Sequence, residues 1–299
     1  GATGNAGGKV YQFDANTREV LNTFDKSLTG RAADTGDQFG ATIAVVGDYI
    51  AIGAPYDDSH GANAGAVYLF DRTAHSTSTP SRGLFIRELF GNQHSGDQFG
   101  AVLASNSSIV AVGAPGVDDT LTSPGTTYAD AGAVWVFDRQ GNQLNTITNP
   151  HPSVAGTGFG SAVAILGIDT AANGQPTHSL VIGSPNDVSD STHRGAVYLY
   201  SANVNTPKEA WNNPVTNTAS GFGAVLATTG ESHFVVGAPM TGTGSAYLYD
   251  SRGDESSAPI VLSNPHGANG AQFGGTIASL GNRLLIGSAG SSSLNLGAS

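Results

Sequence analysis

The stretch DQFGATIAVVGDYIAIGAPYDDSHGANAGAVYLF, residues 37–70, contains the motifs that decide the fold. Ala41–Val46 alternates between small and β-branched residues, which is a strand pattern. Gly47-Asp48 suits a two-residue hairpin turn, because both residues tolerate a positive φ, and Tyr49–Gly53 supplies the returning strand. The stretch therefore predicts a β-hairpin just after its Phe-Gly pair.

Two further strands follow this hairpin. The aromatic run Val67–Phe70 predicts the third strand, and Leu84–Phe90 predicts the fourth. No long segment of the chain has helical periodicity with capping residues at its ends. Residues 36–95 are therefore predicted to form one antiparallel sheet of four short strands.

The same pattern recurs along the whole chain. Each copy starts with a Phe-Gly pair: Phe39-Gly40, Phe99-Gly100, Phe159-Gly160, Phe222-Gly223 and Phe273-Gly274. Each hairpin ends in a Gly-small-Pro triplet, which is degenerate in the last copy. Repeats of this kind predict an all-β fold, a single-domain β-propeller of four-stranded blades. The predicted blade units are 36–95, 96–155, 156–218, 219–269, and 270–299 joined to 1–35.

The chain ends predict that the ring is closed. The last Phe-Gly unit lacks its aromatic strand, and the N-terminus supplies one at Gly8–Phe13, followed by a fourth strand at Glu19–Phe24. Joining the two ends gives a fifth blade and removes open sheet edges. Val10–Phe13 is then expected beside Leu284–Gly287. The alternative is a linear piece of a larger ring with more blades.

The sequence resembles the FG-GAP repeat family. The motifs that carry the resemblance are Asp37-Gln38-Phe39-Gly40, the Gly53-Ala54-Pro55 triplet and the aromatic strand. This family is known from the β-propeller heads of integrin α subunits and from many bacterial surface and secreted proteins, and the resemblance covers nearly the whole chain. It implies a non-enzymatic extracellular or cell-surface module for adhesion or recognition, binding a protein or glycan. The family also implies calcium, held by the loop between the first two strands of a blade.

Composition excludes several classes of function. The formal net charge is −11, which argues against binding a nucleic-acid backbone or an anionic lipid surface. The chain has no cysteine, so disulfides, thiolate metal sites and thiol nucleophiles are excluded. No apolar stretch is long enough to span a membrane as a helix. The chain begins at Gly1, with neither an initiator Met nor a basic-then-apolar leader, so we expect either a processed form or an excised piece of a longer chain, from which any targeting signal is already gone.

Two acidic sets are candidate calcium ligands. In four units the first loop is only a tight turn, whereas the third unit has a longer loop that contains Asp169 and Asn173. The second set follows the triplets and consists of Asp57, Asp58, Asp118, Asp119, Asp187 and Asp190. Carboxylates at these places either chelate calcium or accept hydrogen bonds that shape the turns, and both readings stay open.

No catalytic set is evident. The eight histidines lie at unrelated positions of the repeat, and no nucleophile–base motif occurs, so we predict no enzyme activity. Recognition is expected in the insertions that depart from the repeat, at 73–82, 118–130, 170–178 and 203–213. Two alternatives to an adhesion module stay open. The chain is a structural subunit of a surface assembly or filament, or it is the binding domain of a larger secreted hydrolase.

Overall fold

The computed structural model describes residues 7–31, 36–73, 83–119, 127–152, 155–170, 176–188, 192–216, 218–240, 242–253, 257–267 and 270–290. Twenty β-strands and one short 3-10 helix make up its regular structure. The chain divides into two compact units, Gly1–Thr148 and Asn149–Ser299. In the part of the chain that the structure describes, no helix is long and apolar enough to cross a membrane.

The first unit contains one two-stranded sheet and two four-stranded sheets. The two-stranded sheet, here the N-terminal half-blade, consists of β1 (Val10–Phe13) and β2 (Val20–Phe24). Blade 1 is the meander β3–β6, with strands Thr42–Val46, Tyr49–Ala54, Ala66–Asp71 and Leu84–Leu89. Blade 2 is β7–β10, with strands Val102–Ser105, Ile109–Ala114, Ala133–Asp138 and Gln143–Thr148.

The second unit contains two four-stranded sheets and one two-stranded sheet. Blade 3 is β11–β14, with strands Ala162–Thr170, Pro176–Ser184, Ala196–Ser201 and Glu209–Asn212. Blade 4 is β15–β18, with strands Val225–Thr229, His233–Ala238, Ser245–Asp250 and Ile260–Ser263. The C-terminal half-blade consists of β19 (Phe273–Leu280) and β20 (Arg283–Ser288). Four of the five four-stranded antiparallel units predicted from the sequence are thus confirmed, and in the first of them the strand ends agree within one residue.

In each of blades 1 to 4, the Phe of the Phe-Gly pair packs on two aromatic rings of that blade's third strand. Phe99 makes edge contacts with Trp135 and Phe137, at ring-centroid distances of 5.4 and 6.1 Å. The buried cluster around Phe99 also contains Val67 and Leu69 of blade 1. Phe99 therefore packs as an apolar wedge between the sheets of blades 1 and 2.

The glycines of both motifs interlock neighbouring blades through the backbone. A Cβ on Gly183, in the triplet of blade 3, would lie 2.0 Å from the carbonyl oxygen of Gly223 in blade 4. A Cβ on Gly53, in the triplet of blade 1, would lie 2.4 Å from the carbonyl oxygen of Gly100 in blade 2. Backbones can approach this closely only where a side chain is absent. Phe-Gly and Gly-small-Pro are therefore two halves of one inter-blade contact.

Alanine at Gly183 is expected to destabilise the protein by about 1–3 kcal/mol, because the added methyl group overlaps a backbone oxygen that has no rotamer with which to move away. Gly36→Ala is the matched control, since nothing lies within 4 Å of the Cβ position there. Urea unfolding of both variants measures the difference. Equal midpoints for the two variants would show that the blades do not depend on this close approach.

Each half-blade lacks the strands that would bury its apolar side chains. Tyr11 and Phe13 are 52% and 58% exposed, whereas their counterparts in blade 1, Tyr68 and Phe70, are fully buried. Leu285 of the C-terminal half-blade is 64% exposed. In the described residues β1 pairs with β2 and β20 pairs with β19, and neither has a second partner strand. The shared terminal blade therefore stays a prediction.

Candidate functional site

The loops between the second and third strands of the blades carry most of the predicted acidic residues. Asp57, in blade 1, is buried, and its Oδ2 accepts a hydrogen bond from the Tyr68 hydroxyl at 2.6 Å. The same oxygen lies 2.8 Å from Nζ of Lys26, and Oδ1 accepts the backbone N–H of Ser59. Asp57 therefore has a cation beside it, and that cation is a lysine of the same chain.

Lys26 lies in the 3-10 helix Lys26–Thr29 that links the N-terminal half-blade to blade 1. Its ammonium group is buried and also contacts Oδ2 of Asp37 at 2.7 Å, so it bridges two buried carboxylates. Burial alone would lower the Lys26 pKa, but the hydrogen bonds and charges of the two carboxylates outweigh it and raise that pKa. Burial likewise favours a higher Asp57 pKa, and the bonds from Lys26, Ser59 and Tyr68 outweigh it and lower that pKa.

A tyrosine–aspartate pair recurs in blade 3 and is replaced as a pair in blade 2. Asp187 is buried and accepts the Tyr198 hydroxyl at 2.7 Å, as Asp57 accepts that of Tyr68. Blade 2 has Trp135 in place of the tyrosine and Val117 in place of the aspartate. Because the indole ring has no hydroxyl to donate, an apolar partner replaces the carboxylate. Sequence reasoning missed Lys26 and both tyrosines, and the paired replacement was a readable signal for the tyrosines alone.

Asp58 and Asp118 are the matching anchors of two loops of unequal length. Oδ1 of Asp58 accepts the backbone N–H of Asn63, five residues on, at 2.6 Å. Oδ1 of Asp118 accepts the backbone N–H of Asp130, twelve residues on, at 3.0 Å. Asn63 and Asp130 both have a positive φ, 53° and 52°, so each carboxylate holds the same turn before the third strand. Blade 2 thus inserts its extra residues without changing the stem of the loop, that is, the turn before the third strand that the aspartate anchors.

The insertion of blade 2 is closed at its base. Asp119 and Tyr128 exchange two backbone N–H to carbonyl hydrogen bonds, both of 3.0 Å. The Asp119 residue is buried as a whole. Residues 120–126 between these two positions lie outside the described residues. This pair of backbone hydrogen bonds between Asp119 and Tyr128 therefore marks where the framework of the blade ends and a connection that varies in length between blades begins.

The remaining predicted ligands lie apart from these loops. Asp169 belongs to strand β11, where it pairs with Thr177, rather than to the loop in which it was expected. Asn173 and Asp190 fall outside the described residues. Within the described ranges, no group of three or more His, Cys, Asp or Glu side chains is placed to hold a metal ion. Calcium binding therefore stays a prediction, and the bonds of Asp57 and the turn anchors are typical of turn-shaping carboxylates.

Asp97 occupies in blade 2 the place that Asp37 holds in blade 1, without a lysine beside it. Asp97 is buried, and its Oδ2 accepts the backbone N–H of His94 at 3.1 Å. Burial, with a smaller contribution from the charge of Asp118, raises the Asp97 pKa. The ionised form of Asp97 is therefore less favourable in the folded protein than in the unfolded chain.

Asp97→Asn is expected to stabilise the protein by about 0.5–1 kcal/mol at neutral pH, because it removes a buried charge and keeps an acceptor for His94. Because the Asp97 pKa is raised, the ionised carboxylate destabilises the folded protein when the pH is above that pKa. This destabilisation is absent when the pH is low enough to protonate the carboxyl group in both the folded and the unfolded protein. The gain should therefore disappear as the pH falls below 3.8, the ordinary value. Asp48→Asn, at a carboxylate that is 69% exposed, is the control. If Asp97→Asn stabilised the protein equally at neutral pH and below pH 3.8, this explanation would be contradicted.

Residues 23–70 match the family model described as FG-GAP repeat. The chain is also similar to a solved structure of a functionally unknown protein from Desulfotomaculum acetoxidans, with 12% identity over 93% of this chain and 68% of that one, and a TM-score of 0.49. A structure described as the Dos1 propeller is 13% identical over 87% of this chain, with a TM-score of 0.46. This chain spans 54% of the Dos1 chain. No curated protein matches the sequence significantly.

Proposed function

We propose that this chain, an FG-GAP repeat protein, is a non-enzymatic binding module that works outside the cell or at its surface and recognises a protein or glycan. The observation that carries this proposal is the constant stem of the second-to-third-strand loops. Asp58 and Asp118 anchor the same turn on loops of five and twelve residues. A framework that holds its shape while one loop varies in length is a common way to display recognition residues.

The rigidity of this framework follows from its contacts. Buried Phe wedges and glycine-to-backbone contacts join each described blade to its neighbour within a unit. Interiors packed in this way have few alternative arrangements, so the loops start from a fixed base. A preorganised base lowers the conformational entropy that is lost when a partner binds. The proposal therefore assigns binding to the loops and mechanical support to the blades.

The experiment replaces residues 119–129 of blade 2 with the shorter 59–62 sequence of blade 1, which ends on the same anchored turn. Labelled wild-type and variant proteins are compared on arrays of glycans and of secreted and surface proteins. We expect saturable binding by the wild type that the variant loses, with unchanged thermal unfolding. Binding that is identical in both proteins, or absent from both, would contradict the proposal.

We also propose that the two half-blades combine into a fifth blade that closes the ring. In blades 1 to 4 the Phe of Phe-Gly packs on two rings of the third strand, as Phe39 does on Tyr68 and Phe70. The N-terminal half-blade has those two rings, Tyr11 and Phe13, and the C-terminal half-blade has Phe273. Each half-blade therefore contains the part of the aromatic triad that the other lacks.

A second candidate function is a structural subunit of an assembly, and the exposed half-blades favour it. Strands β1 and β20 both have a free edge in the described residues, and both expose large apolar side chains. If the half-blade of one copy completes that of the next, the contact is head-to-tail and can propagate. Sedimentation at increasing concentration separates the two candidates, because a closed ring stays monomeric whereas a complementing subunit forms larger species.

A further inference from the structure

The second unit contains a cavity between blades 3 and 4. Its volume is about 370 Å³, and Leu166 and Leu199, both buried, form its apolar floor. Ser179 and Ser232, which are also buried, are among its polar lining residues. Cavities that bind small molecules start at about 300 Å³, so this one has room for a single small ligand.

The equivalent space between blades 1 and 2 is filled. There the turn that follows the third strand of blade 2 sits directly on blade 1, because a Cβ on Gly141 would lie 2.8 Å from a methyl group of Leu89 and 3.0 Å from one of Leu69. Gly253 holds the same place in the turn of blade 4, bonding to Asp250 as Gly141 bonds to Asp138. The atoms nearest to a Cβ on Gly253 all belong to blade 4 itself. The cavity is therefore a difference between the two units and not a general property of the repeat.

Two parts of blade 3 line this cavity, its first hairpin and the segment between its third and fourth strands. The first hairpin has strands of nine residues, against five and six in blade 1, and its pairing shifts between Ile165 and Ile168. Gly167, within that irregularity, lies against Glu231 of blade 4. The segment that joins the third strand of blade 3 to the fourth places Lys208 and Glu209 in the lining. Both insertions were predicted from the sequence to carry recognition.

The charges of the lining indicate the class of ligand. Lys208 and Arg252 are cationic, and Glu209 and Glu231 are anionic, so the formal charges of these four side chains sum to zero. A lining without net charge favours neither an anion nor a cation, and its polar wall disfavours an apolar ligand. Hydroxyl groups donate to carboxylates and accept from ammonium and guanidinium groups, and serine does both. Neighbouring hydroxyls of a sugar match this mixed set.

We propose that this cavity binds one monosaccharide unit, either free or at the end of a glycan. The proposal rests on the proposed binding function and gives it a second site, separate from the loop of blade 2. Carboxylates and cations on the rim select the pattern of hydroxyls, while Leu166 and Leu199 contact the apolar carbons of the ring. A sugar with a different hydroxyl pattern makes fewer hydrogen bonds to the lining and therefore binds less tightly.

The test uses the methyl glycosides of glucose, galactose, mannose and N-acetylglucosamine, with calorimetry and saturation-transfer NMR on the whole chain. We expect saturable binding of at least one of them. Ser251→Tyr fills the cavity and Arg252→Ala removes a donor, and each should weaken that binding by about tenfold or more. Arg139→Tyr and Gln140→Ala are the matched controls, because they change the same positions of the turn in blade 2, where the space is already filled.

Two results overturn the proposal. One is the absence of saturable binding of all four glycosides to the folded protein, and the other is binding that both cavity variants retain. Thermal unfolding of Ser251→Tyr shows whether that variant folds, and Arg252→Ala, at an exposed side chain, gives an independent reading. If the sugars fail while the blade 2 loop still determines binding on the arrays, the cavity proposal falls and the proposed function stands. If both fail, the binding module itself is wrong.

Discussion

Replacing Lys26 with methionine should destabilise the protein by about 3–5 kcal/mol, because it leaves two buried carboxylates without their shared cation. The Lys26 ammonium lies 2.7 and 2.8 Å from oxygens of Asp37 and Asp57, and all three side chains are buried. Methionine has nearly the same length, so the lost charge rather than a cavity dominates the effect. Urea unfolding at neutral pH measures it.

Lys9→Met is the matched control, since Lys9 is exposed and its replacement should change the free energy of unfolding by no more than about 0.5 kcal/mol. The triple variant Lys26→Met, Asp37→Asn, Asp57→Asn should recover much of the loss, because it removes the uncompensated charges as well. Equal stability of Lys26→Met and Lys9→Met would show that the buried network does not hold the half-blade to blade 1.

The network also has a pH dependence with a defined sign. The Asp57 pKa is lowered, so its contribution to stability is present above the ordinary value of 3.8 and is lost as the pH falls through the lowered value. The Lys26 pKa is raised, so its contribution is complete below 10.5 and is lost as the pH rises through the raised value. The stability difference between wild type and Lys26→Met should therefore be greatest between these limits.

Phe99→Ala should destabilise the protein by about 3–5 kcal/mol, as is usual for a fully buried phenylalanine. Phe99 has no exposed surface and contacts the rings of Trp135 and Phe137 in a cluster that joins blades 1 and 2. Little nearby can fill the space, because the backbones on either side are already in close contact. Urea unfolding followed by circular dichroism measures the change.

Leu144→Ala is the control for Phe99→Ala, because Leu144 lies in the same sheet and is 52% exposed. Its truncation should cost less than about 1 kcal/mol. If the two variants unfold at the same urea concentration, the Phe of Phe-Gly is not the wedge that joins the sheets, and the packing described for the blades is wrong.

The repeated framework could be predicted from sequence because its causes are local. Alternation over Ala41–Val46 fixes a strand, and Gly47-Asp48 fixes the turn that follows it. Recurrence of Phe-Gly then indicates where each further unit begins. The glycine contacts between blades could not be derived, because they join motifs that lie far apart in the chain, such as Gly183 and Gly223.

The site was only partly predictable, for the same reason. The sequence pointed to Asp57, Asp58, Asp118 and Asp187 as repeated acidic positions, and the structure gives each a hydrogen bond that shapes the protein. Lys26 lies in a connection outside the repeat, so no periodic pattern pointed to it. The cavity between blades 3 and 4 depends on how closely the turn after the third strand of blade 4 packs on blade 3. The sequences of the turns at Gly141 and Gly253 do not by themselves encode that distance.

The proposed closure of the ring is tested most directly by a disulfide across the terminal strands, and the cysteine-free sequence leaves no competing thiol. In blades 1 and 3 the partners Ala51–Leu69 and Val181–Leu199 face each other between the second and third strands. The equivalent pair in the terminal blade is Leu285 and Gln12, so Gln12→Cys with Leu285→Cys should form a bond. Gln12→Cys with Leu280→Cys, which is out of register, should not.

We expect dilute, oxidised Gln12→Cys, Leu285→Cys protein to be a monomer that migrates faster on a gel until it is reduced. Its unfolding midpoint should also rise on oxidation, because the bond closes a loop of nearly the whole chain. Closure would be contradicted if the Gln12→Cys, Leu285→Cys protein formed only intermolecular disulfides. It would also be contradicted if that protein formed no disulfide and so behaved like the out-of-register pair. The half-blades would then belong to an assembly or to a longer ring.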